Sequence, residues 1–137
     1  MSSPAVDVAG LMVAYGLGTL GTDIFIGRDP GGTSQTITLY DLGGPSVNPA
    51  WARDFIDLQI SVWGATNDYT GGYSKAVDIK NYLLGLAAQT IGTKTYFAFN
   101  MRSNIAFVDY DNSNRPEFMM LFRIIIDDGN VGNRLSL

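Results

Sequence analysis

The nine residues Phe55-Ile56-Asp57-Leu58-Gln59-Ile60-Ser61-Val62-Trp63 restrict the possible folds more than any other stretch. Ile56, Leu58, Ile60 and Val62 alternate with Asp57, Gln59, Ser61 and Trp63. Successive side chains of a strand point to opposite faces, so this run buries one face and leaves the other half wet. It is read as the central strand of a sheet whose apolar face is covered by one helix. The polar face meets either solvent or a partner.

The covering helix is predicted over about Tyr73 to Ala88, where Ala76, Ile79, Leu83 and Leu86 share one helical face. Another helix is expected from Pro4 to about Tyr15, with Ser3 as N-cap, Pro4 at the first position and Asp7 in the first turn. Gly16, Gly18 and Gly21 end it as a hinge. Thr22 to Ile26 reads as a short strand, Arg28 to Ser34 as turn residues, and Thr36 to Tyr40 as the returning strand of a hairpin. Asp41 to Asp54 is a long connection carrying Trp51. Gly64 to Gly72 is a connector rich in Gly, Thr, Asn and Asp. Thr95 to Arg102 and Ile105 to Tyr110 read as strands with a bend at Ser103-Asn104, and Pro116 opens a last strand to Ile126. The fold class is α+β: a mostly antiparallel sheet with one main helix packed on one face and an additional N-terminal helix.

A chain of 137 residues that is 46% apolar forms one globular domain. It contains neither histidine nor cysteine, which removes the usual zinc sites, Ser-His-Asp and Cys-His catalysis, and disulfide scaffolding. No apolar run approaches the roughly 18 residues of a membrane span, so no membrane association is expected. Val8 to Leu20 is broken by glycines and lacks the basic start of a signal peptide. The formal net charge is -4, and the basic residues are scattered. Tight phosphate binding needs a basic cluster.

Gly16-Leu17-Gly18-Thr19-Leu20-Gly21 spells G-x-G-x-x-G, but it follows a helix and precedes a strand, the reverse of a dinucleotide site. Gly27 to Ser34 lacks the Gly-Lys-Ser/Thr ending of a phosphate loop and reads as a hairpin tip. Asp109 to Asn114 lacks the mid-loop glycine and terminal glutamate of a calcium loop, and a polar turn explains it. Asp57 has no paired carboxylate for acid–base work, and reads as a solvated position or as the ion-pair partner of an arginine on a neighbouring strand or subunit. No catalytic, cofactor-binding or metal-binding residue is assigned. Tyr40, Trp51, Trp63, Tyr69, Tyr73, Tyr96 and Tyr110 fall partly on faces or loops predicted to be polar. Tyr and Trp outside a core are typical of protein interfaces. The expected subunit or partner interface is Trp51 and Arg53 in the long loop, with Asp57, Gln59 and Trp63 on the polar sheet face.

Three stretches carry a family likeness: Thr38-Leu39-Tyr40-Asp41-Leu42-Gly43-Gly44 followed by Pro49; Leu58 to Trp63; and Asp109 to Ile126, with Asn114-Arg115-Pro116-Glu117-Phe118 and Phe122-Arg123-Ile124. Together they resemble the tail-terminator or minor capsid (tail completion) proteins of long-tailed bacteriophages. The likeness covers roughly residues 22 to 127. It implies an α+β subunit of the virion that forms a homohexameric ring in the host cytoplasm. The ring caps the tail tube protein, stops its polymerisation and binds head-completion or neck proteins, while DNA passes through its lumen unbound. Residues 1 to 21 fall outside the likeness and are expected to form a docking arm, and residues 128 to 137 a C-terminal tail. The other readings are a different head–tail connector or neck protein, or a small ligand-binding α+β module.

Overall fold

The computed structural model describes residues 3–45 and 53–127. Two helices and six strands follow in the order α1 (Pro4–Tyr15), β1 (Ile24–Ile26), β2 (Thr36–Gly43), β3 (Arg53–Trp63), α2 (Tyr69–Leu84), β4 (Gln89–Ile91), β5 (Lys94–Tyr110) and β6 (Pro116–Asp127). The strands form one sheet in the order β1-β2-β3-β6-β5-β4. Every pair is antiparallel except β1–β2. This is the expected α+β class, with β3 inside the sheet. None of the helices among the described residues is long and apolar enough to cross a membrane.

Side-chain alternation divides the sheet into two unlike faces. Ile37, Leu39, Leu58, Ile60, Val62, Phe118, Met120, Phe122 and Ile124 are buried in one core. Both helices lie on that side: Ala5, Val8, Ala9 and Met12 of α1 and Ala76, Ile79 and Leu83 of α2 join the same cluster. The Tyr82 hydroxyl donates to the Leu11 carbonyl at 3.0 Å, and the Tyr15 and Tyr82 rings stack at 4.2 Å, so the helices also hold each other. Asp7 does more than favour the helix dipole. It is buried, accepts from the Tyr96 hydroxyl and pairs with Lys94, tying α1 to the start of β5. Burial and the Asp7 carboxylate push the Tyr96 phenol far above its ordinary pKa.

The Ser3 cap is present, its hydroxyl accepting from the Val6 N–H at 3.4 Å. Gly16 closes α1 in the left-handed conformation at φ 95°, its N–H directed to the last-turn carbonyls. α2 begins four residues earlier than its apolar stripe predicts and ends at Leu84. Asp68 caps it through the Gly71 N–H at 2.9 Å, which brings the supposed connector residues Gly71 and Gly72 into the first turn. Gly72 is there for proximity: a Cβ on it would stand 2.9 Å from Gly64 Cα and from Phe118 Cε2. The glycine pair lets α2 lie against the sheet.

Two further features differ from expectation. β1 and β2 are not a hairpin: they run parallel, with Ile24 opposite Ile37 and Ile26 opposite Leu39. The segment 27–35 therefore runs back along the sheet before β2 starts. β5 is one strand, not two, and passes the expected bend through four register shifts against β6. Each shift inserts residues that β6 does not match, so the sheet curls. β4, three residues long, went unread because Gln89-Thr90-Ile91 is too short to show a period.

Two glycine substitutions should separate close packing from helix propensity. Gly10→Ala, in α1 with open space around the new methyl, should stabilise the chain by about 0.5–1 kcal/mol. Gly72→Ala should destabilise it by about 1–3 kcal/mol through overpacking against backbone, despite Ala being the better helix former. Urea unfolding monitored by circular dichroism measures both.

Candidate assembly surface

The second face of the sheet has no helix over it among the described residues. Its β3 rows are Phe55, Asp57, Gln59, Ser61 and Trp63, and in register beside them β6 supplies Ile125, Arg123, Leu121, Met119 and Glu117. β2 adds Tyr40 beside Gln59. The β3 pattern alone suggests a polar face. β6 makes it mixed, because Met119, Leu121 and Ile125 are only half-buried there. Phe118 to Ile126 reads as a continuous apolar run, so its alternation was hidden until the pairing with β3 assigned sides.

Of the expected interface residues, the structure brings Asp57, Gln59 and Trp63 to this face and puts Arg53 at its edge. Trp51 lies outside the described residues. Gln59 and Trp63 are half-buried and Arg53 is exposed, its guanidinium 4.2 Å from the Phe97 ring centre. Asp57 is not a solvated contact residue. It is 6% exposed and holds two arginines of its own chain, Arg123 from β6 at 2.9 Å and Arg102 from β5. The hydrogen bond from Arg123, then the charge of Arg102, hold its carboxyl below the usual carboxylate range against the opposing effect of burial. Arg102 keeps 53% of its side chain exposed and Arg123 keeps 33%. The solvent-facing groups of the cluster are thus guanidiniums, and the carboxylate beneath positions them.

A second ionic cluster fixes the Trp63 end. Arg115 is 1% exposed, and its guanidinium donates to Asp111 at 2.7 Å, Asp29 at 2.6 Å, the Ser34 carbonyl at 3.1 Å and Thr36 Oγ1 at 2.9 Å. One side chain therefore ties the β1–β2 loop to the β5–β6 turn. Burial pushes the Asp111 carboxyl up, but the N–H and guanidinium of Arg115 and the Ser113 N–H outweigh it and hold it low. The residues 109–114 that resemble a calcium loop are this turn, in which Asp111 accepts from the N–H groups of Ser113 and Arg115, both at 2.9 Å. Beside it opens a cleft of about 500 Å³, walled by Trp63, Tyr40 and the Gly27–Gly32 loop. Its two carboxylates, Asp29 and Asp111, are already engaged by Arg115. What remains for a visitor is aromatic surface, backbone and the exposed side chains of Arg28 and Asn112.

Acid should act through these carboxylates. Asp57 and Asp111 titrate below their unfolded value of about 4, so their stabilisation is complete above that pH and is lost as pH falls towards their lower native pKa values. The urea midpoint should therefore drop steeply below pH ~4, and Asp57→Asn should flatten part of that drop. Arg115→Ala leaves two carboxylates without their cation and should cost about 3 kcal/mol at neutral pH, measured by the same unfolding.

Among the described residues, this face sets apolar side chains beside Arg102, Arg123, Asp57 and Glu117. No curated protein matches the chain. Over residues 11–128 it matches the sequence model of the bacteriophage tail terminator proteins, and the chain belongs to that family of structural components of the virion tail.

Proposed function

We propose that this protein is a non-catalytic tail terminator whose copies close into a homohexameric ring in the host cytoplasm. The ring caps the tail tube protein, ends its polymerisation and then receives the head-completion or neck proteins. The observation that carries this reading is the sheet face that no helix covers among the described residues, with half-buried Tyr40, Phe55, Trp63, Met119, Leu121 and Ile125. Half-exposed aromatic and aliphatic side chains set among polar ones have the composition of a contact with another protein.

Within this reading, residues 22–127 form the body of the ring. Arg53, Gln59 and Trp63 touch the neighbouring copy, with Trp51 of the preceding loop, and Asp57 sets the arginines that do so. Residues 1–21 supply a docking arm only through the outer side of α1, where Val6, Val13 and Tyr15 stand exposed while its inner side packs into the shared core. A net charge of -4 repeated around a ring repels the DNA backbone, so a genome passing through the lumen is not retained.

Light scattering of the purified chain tests this. Wild type should have the mass of a ring, and Trp51→Ala, Trp63→Ala and Gln59→Arg should each reduce it towards that of a single chain. Ring mass unchanged in all three would remove this face from the subunit contact.

A further inference from the structure

The apolar residues of α1 do not by themselves decide which side of the helix meets the core. Ala5, Val8, Ala9 and Met12 are fully buried, while Val6 and Val13 stand 40% and 38% exposed. The covered side thus offers two alanines, a valine and a methionine. The outer side offers two valines and Ala14 beside Gly10. A helix with a strong apolar stripe is oriented by burial. Turning α1 about its axis would only exchange one set of mostly small apolar side chains for another. Met12 alone favours the observed side by size, and its unbranched chain adapts to many packings.

The polar groups do discriminate. Asp7 is the one charged residue of the helix, and it is buried. It pairs with Lys94 at 2.5 Å and accepts from the Tyr96 hydroxyl. Both partners belong to β5, Lys94 being 6% exposed and Tyr96 fully buried. A rotation that carried Asp7 away would withdraw its carboxylate from a buried ammonium and a buried hydroxyl. That costs far more than exchanging a valine for an alanine. Two further ties, from the Ala5 N–H to Asp41 at 2.9 Å and from the Tyr82 hydroxyl to the Leu11 carbonyl at 3.0 Å, use backbone groups of α1, which every residue offers alike. A buried ion pair adds little net stability over apolar groups of the same shape. Its effect here is on the choice between arrangements.

We propose that Asp7 is a positioning residue: with Lys94 and Tyr96 it selects the face that α1 turns to the core, and so keeps Val6 and Val13 outward. The device acts within one chain and stands independently of the ring reading. It explains why a helix that is apolar nearly all round leaves two valines in solvent.

The chain has no cysteine, so single introduced thiols report the face directly. Met12→Cys and Val13→Cys place thiols roughly 100° apart around the axis, at a buried and an exposed position. In the otherwise wild-type chain a maleimide should label the thiol at position 13 roughly a hundredfold faster than the one at position 12. The combined change Asp7→Leu, Lys94→Met and Tyr96→Phe replaces the polar set with apolar groups of similar size. It should leave the urea midpoint at or above that of the wild type. The labelling ratio should nevertheless fall about tenfold or more, as α1 populates both faces. A folded triple variant that keeps the wild-type ratio would overturn the proposal. So would a midpoint far below wild type, or labelling of both thiols at the rate of the urea-unfolded chain. Either result would mean that the polar set holds α1 down and does not choose its face.

Discussion

The ladder between β3 and β6 runs from Arg53 opposite Asp127 to Trp63 opposite Glu117 without a bulge. Side chains alternate along both strands, so this one register decides which residues the helices cover and which remain outside. A slip of β3 by one residue would send Leu58 and Ile60 outward and bury Asp57 on the helix side, away from Arg123. The burial of one complete apolar row from each strand opposes such a slip. The Asp57–Arg123 pair, directly across the ladder, adds to that opposition from the other face.

The same ladder explains which parts of the fold were legible in the sequence. β3 alternates strictly and announces its own sidedness. β6 does not, since Met119, Leu121 and Ile125 are as apolar as the core residues between them, and only pairing with β3 tells the two rows apart. The α2 stripe Ala76, Ile79 and Leu83 was readable because it has a helical period. The start of α2 was not, because Gly71-Gly72 is locally a breaker and becomes helical only against Gly64 and Phe118. Parallel pairing of β1 with β2 was invisible for a similar reason. The turn residues of 27–35 suit a hairpin tip, and the direction of β2 belongs to its pairing with β3.

The candidate surface divides in the same way. Gln59 and Trp63 could be placed from alternation, and Asp57 could be marked as an isolated carboxylate with an arginine as one of its readings. That Arg102 and Arg123 both choose it depends on β5 and β6 meeting β3 in this register. Arg115 offered no local signal: a lone arginine before a proline gains its meaning from Asp29, which lies 86 residues away in the chain. Of the rings that gather around buried Phe118 on the helix side, Tyr69 and Tyr73 stand out in the sequence by type. Phe107 joins them only through the long, shifted pairing of β5.

That irregular pairing bears on how copies of the chain avoid the wrong kind of association. β4 pairs only with Thr95, Lys94 and Tyr96 at one end of β5, and most of the strand forms the border of the sheet. A long flat border invites strand-to-strand addition and open-ended fibrils. Repeated bulges spoil the even spacing of N–H and C=O groups that such addition requires. Strand addition along this edge is thereby disfavoured. A member of a family that ends a polymer is in this way kept from seeding one.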